Sequence, residues 1–68
     1  MNEAMIENNF TYHAPDSEKQ AKYIDIRNTA KTLAYLILNT VPSSREQAVA
    51  MTKLEEVVMW ANAGIARN

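Results

Sequence analysis

The chain has no cysteine, one glycine, two prolines, one histidine and one tryptophan in 68 residues. Each scarcity removes a class of structure. Without cysteine there is no disulfide, and a lone histidine cannot supply the ligand set of a structural zinc site. A single glycine leaves no phosphate-cradling loop, which needs several. No run of 18 apolar residues exists, so no segment is expected to span a bilayer. The first residues show no basic flank leading into an apolar run, so no secretory signal is expected and the protein is read as cytoplasmic. A core of this size is marginal, and the staples left to it are well-packed helices and association with other copies.

Charge of one sign is also scarce. The net charge is −1, but it is uneven. Residues 1–18 hold Glu3, Glu7, Asp16 and Glu18 and no Lys or Arg, whereas residues 19–68 carry seven basic residues against Asp25, Glu46, Glu55 and Glu56. A surplus this small does not make the basic stripe that duplex DNA requires. It is enough to surround a small anion.

What is present is helical. From Ser43 to Arg67 apolar residues recur at Met51, Leu54, Val58, Ala61 and Ile65, steps of three and four that stay on one helix face. Pro42 precedes this segment, and Ser43 with Glu46 has capping-box spacing. Val57–Ala61 are five consecutive apolar residues. Successive helical side chains diverge by about 100°, so this run is apolar nearly all round and asks for more than one neighbour.

An earlier helix is expected from Asp16, its N-cap, to about Asn39. Its core stripe is Tyr23, Ile26, Ala30, Leu33 and Ile37, widened by Leu36 and Leu38. The short connector Asn39–Pro42 forces the two helices antiparallel. The fold class is therefore all-α: a two-helix hairpin (helices about 17–39 and 44–66, domain 16–68) behind a polar N-terminal arm, 1–15, without helical periodicity. A short extended piece is expected at Phe10–His13, with Phe10 docking the arm. Gly64 is expected to end the second helix.

No nucleophile with a base, converging carboxylate pair or metal cluster is visible, so neither catalytic nor metal residues are assigned and no cofactor is implied. Glu55 and Glu56 are adjacent on a helix and diverge. Anion binding is better supported. Arg27 and Lys31, four apart, share a face; a solvated basic face is the plain alternative. Ser44 and Arg45 accompany the free N–H groups of the second helix's start, although ordinary capping explains the serines. Tyr12 and His13 offer a stacking surface and a donor. Lys53 is expected to lay its stem over apolar surface.

The motifs FTYHAP, YIDIRNTAK, PSSRE, TKLEE and MWANAGIAR resemble the helical-hairpin family of phage anti-CBASS and anti-Thoeris proteins, over residues 10–67. The block TKLEE followed by MWANAGIAR is the most specific, and the bare domain is closer to the anti-CBASS branch. The resemblance implies a phage protein in the cytoplasm of the infected bacterium. It would bind the host's cyclic oligonucleotide signals without cleaving them, as a homohexamer with cyclic dinucleotides between protomers and, as in some members of the family, cyclic trinucleotides at separate sites. Carried over by motif, Tyr12 would stack on a base, Arg27 and Lys31 would hold phosphate, and His13 would donate to phosphate or sugar. Ser44 and Arg45 would form the second site, and Val57, Met59 and Trp60 the oligomer interface. Duplex nucleic acid and membranes are not expected partners. A sponge for cyclic ADP-ribose-type signals and a helical oligomer that binds a host protein remain alternative readings.

Overall fold

The computed structural model describes residues 2–68, and among these it contains three helices and no strand. The helices are α1 (Glu3–Asn9), α2 (Ser17–Thr40) and α3 (Arg45–Arg67). Each start is capped by a side-chain oxygen on a free N–H. Asn2 accepts from Met5 N at 2.9 Å, Asp16 from Lys19 N at 2.8 Å and Ser44 from Gln47 N at 3.1 Å. These bonds satisfy donors that a helix cannot pair internally. Glu3, Glu18 and Glu46 lie in the first turns, where the helix dipole favours a carboxylate.

α2 and α3 pack side by side, and each presents a half-buried stripe. On α2 the stripe is Tyr23, Ile26, Ala30, Ala34 and Ile37; on α3 it includes Met51, Leu54, Val58, Ala61 and Ile65. Ala34 replaces the expected Leu33, which is 44% exposed. Close approach over alanines puts Ala34 on the contact line and turns Leu33 to the rim. The Cα envelope measures 45 × 29 × 12 Å, so the two long helices lie in a single layer. Accordingly, no described residue is fully buried.

Four sequence expectations are corrected. The arm is not free of helix: α1 occupies Glu3–Asn9, two turns set by the Asn2 cap and too short to show periodicity. The Phe10–His13 piece is not extended at its first residue: Phe10 has φ −112° and ψ 15° and closes α1 by donating its N–H to the Ile6 carbonyl at 3.0 Å. Phe10 does not anchor the arm, because its side chain is 83% exposed. Gly64 does not end α3, which continues to Arg67 with no positive φ.

The cap of α3 also moves by one residue, from Ser43 to Ser44. The adjacent serines offer two capping-box registers, Ser43 with Glu46 and Ser44 with Gln47. Gln47 breaks the tie. Its amide donates to the carbonyls of Val41 at 2.9 Å and Leu38 at 3.4 Å, joining the first turn of α3 to the end of α2. Ser44 Oγ also donates to the Pro42 carbonyl at 2.8 Å. Replacing Ser44 by alanine should therefore cost about 0.5–2 kcal/mol of stability in urea denaturation. The same change at Ser43 should stay within about 0.5 kcal/mol; the reverse order would contradict this cap.

Candidate functional site

On one face of the hairpin the two helices leave an open groove of about 380 Å³. It is lined by Arg27, Ala30, Lys31 and Ala34 from α2 and by Met51, Leu54, Glu55 and Val58 from α3. The α2 periodicity builds it directly. Arg27 and Lys31 are one turn apart, as are Ala30 and Ala34, so two cations stand beside two methyl groups that leave the floor low. The ion pairs among the described residues are Lys22–Glu18 at 3.5 Å and Lys53–Glu56 at 3.4 Å. Arg27 and Lys31 thus have no carboxylate within pairing distance. Past Lys31 the groove runs on to Tyr35, Leu38 and Met51, and Tyr35 is 57% exposed.

An apolar floor edged by unpaired cations suits an occupant that is flat and apolar in one part and anionic in another. Sequence reasoning found Arg27 and Lys31 but missed Tyr35 and Glu55 as neighbours. Tyr35 was legible as the next step of the i, i+4 series. Glu55 was not, because only the packing of α3 on α2 sets it beside Arg27 and Lys31 at this groove.

The structure does not bring Tyr12 and His13 to this groove. They precede α2, and Arg27 lies ten residues into it, roughly 15 Å along the axis. Tyr12 is 84% exposed. His13 is engaged: its Nε2 lies 2.6 Å from the Asn8 carbonyl, and since a carbonyl only accepts, Nε2 must donate. Asn8 Nδ2 in turn donates to the Arg67 carbonyl at 3.1 Å. This relay ties α1 to the end of α3, beside Lys19, whose ammonium donates to the Ala66 carbonyl at 3.3 Å.

Arg45 lines a separate cavity of about 400 Å³ with Glu46, Val49 and Ala50. Ser44 does not line it, and its hydroxyl is committed to capping. Val57, Met59 and Trp60 are 60%, 68% and 71% exposed. Lys53 is largely exposed and paired with Glu56. Among the described residues there is no cluster of three potential metal ligands and no helix long and apolar enough to cross a membrane.

The fold is a helical hairpin with an open groove between its two long helices. The chain matches the family model described as Acb2/Tad1, hairpin domain, over residues 1–66. It belongs to that family, the phage anti-CBASS and anti-Thoeris sponge proteins. The match extends through α1, beyond the motifs that begin at Phe10. The family is one of sequestering proteins that bind cyclic oligonucleotide signals and is not known for catalysis. The curated proteins and the solved structures give no match.

The relay makes a prediction independent of any ligand. His13→Ala removes a hydrogen bond worth about 0.5–1.5 kcal/mol. Amide exchange should therefore quicken across Ile6–Phe10 while the middle of α2 and α3 keeps its protection. Unchanged exchange in α1 would show that His13 does not hold it.

Proposed function

We propose that this protein sequesters host cyclic dinucleotides, uncleaved, in a homo-oligomer whose binding pockets lie between protomers. On the family resemblance, that oligomer is a hexamer. The observation that supports this most is the groove with two uncommitted cations over an apolar floor, in a hairpin that leaves Val57, Met59 and Trp60 mostly exposed. Arg27 and Lys31 hold phosphate oxygens, as charge-assisted hydrogen bonds favour. Tyr12 stacks on a base, a contact worth about 1–3 kcal/mol. Its distance from Arg27 within one chain means that the two act together only when Tyr12 comes from a neighbouring copy. Arg45, beside the capped start of α3, is the candidate for a second site that takes cyclic trinucleotides.

A sponge for a scarce signal needs a Kd near nanomolar, about −12 kcal/mol. Two stacked bases and two phosphates reach that only in a preformed pocket. The groove of one chain is small for a whole cyclic dinucleotide, since about 380 Å³ sits at the low end for ligand pockets. Completion of each pocket by a second copy resolves both points.

Calorimetric titration with a cyclic purine dinucleotide should give tight binding at one ligand per two chains. Arg27→Ala and Tyr12→Ala should each weaken it by at least about tenfold, given the stacking and charged-contact energies. Intact ligand should be recovered after denaturation. No binding of cyclic dinucleotides would overturn this reading; binding of cyclic ADP-ribose isomers instead would move the protein to the anti-Thoeris chemistry.

Association is tested separately. An exposed apolar surface of this kind marks an interaction site. Sedimentation of the wild-type chain should show an oligomer, and Trp60→Glu should yield monomers that no longer bind. A monomer that still bound tightly would refute the shared pocket.

A further inference from the structure

The groove between α2 and α3 holds a third charged side chain, Glu55, on the wall opposite Arg27 and Lys31. Both ion pairs of the described residues lie elsewhere, so Glu55 and the two cations line one cavity without pairing across it. The neighbouring carboxylate, Glu56, is outside the groove and bound to Lys53 at 3.4 Å. The two glutamates have therefore been given different environments by a single step along the helix.

An occupant of this groove must offer acceptors to one wall and donors to the other. Arginine and lysine only donate, and an ionised carboxylate only accepts. The axes of packed helices lie roughly 8–10 Å apart, the length scale of a nucleotide from its phosphate to the far edge of its base, so one nucleotide can reach from α2 to α3. With phosphate on α2, the group that meets Glu55 is a base edge. Guanine presents N1–H and the 2-amino N–H side by side, two donors that one carboxylate takes in bidentate fashion. Adenine presents its 6-amino donor beside the lone pair of N1, which a carboxylate repels.

We propose that Glu55 is a specificity-determining residue that reads the Watson–Crick edge of guanine and biases this sponge toward guanine-containing cyclic dinucleotides. The proposal rests on the reading of the groove as a cyclic dinucleotide site.

The test is calorimetric titration of the full chain, and of Glu55→Gln and Glu56→Gln, with cyclic di-GMP and with cyclic di-AMP. Circular dichroism serves to confirm that each variant remains helical. The wild type should prefer cyclic di-GMP by about tenfold to hundredfold, the range for one bidentate base contact. Glu55→Gln should abolish or invert that preference, because an amide matches adenine's donor–acceptor edge. Glu56→Gln should leave the ratio unchanged. Simple charge removal would instead tighten both ligands alike, because both are dianions, and that result would overturn the guanine reading. Tight binding of both ligands with a ratio that Glu55→Gln does not alter would also overturn it while leaving the sponge standing. Binding of neither ligand to the wild type would overturn the cyclic dinucleotide reading and this inference together.

Discussion

Two helices laid side by side make a slab one helix thick, and in a slab of 12 Å no side chain can lie far from water. Much else in this protein follows from that geometry. Each helix buries one stripe against the other and no more, so the surplus apolar residues of α2 and α3 stay at the surface: Tyr35, Leu36 and Leu38 on one, Val57, Met59 and Trp60 on the other. In the sponge reading that surplus is the assembly surface. The same thinness leaves the interhelical grooves open, lined by residues from both helices and closed by neither.

Without an interior, the hairpin is fastened at its ends, and the fastenings share a chemistry. At the connector Gln47 donates to the carbonyls of Leu38 and Val41. At the open end Lys19 and Asn8 donate to the carbonyls of Ala66 and Arg67, with His13 holding Asn8. The last carbonyls of a helix have no partner inside it. Side chains from adjoining elements take them up, which fixes where the chain turns and how α1 sits on α3.

The groove brings charges of both signs to an apolar floor. Arg27 and Lys31 stand over Ala30 and Ala34, with Glu55 across from them. Cations held one turn apart suit the oxygens of a phosphate, which is the part they take in the proposed reading. A protein that captures a signal needs affinity and a preformed shape. Packing shapes this groove: the alanines lower the floor, and the helix spacing sets the distance between cationic and acidic walls.

The sequence by itself determined that the long segments are helices, that they run antiparallel, and which face of α3 turns inward. It also placed Arg27 and Lys31 together. These are consequences of local spacing: steps of three and four set a face, a short connector sets direction, and an i, i+4 pair is adjacent in any helix. The sequence did not settle which serine caps α3, because two equivalent capping boxes overlap and only the reach of Gln47 to α2 distinguishes them. Nor did it reveal α1, whose two turns depend on a cap and on contact with the end of α3. Leu33 and Ala34 both fit the stripe, and the closeness of helix packing chose the alanine. Glu55 joined the groove because α3 packs with that side beside α2, whereas the pairing of Glu56 with Lys53 is local, three residues apart on one helix.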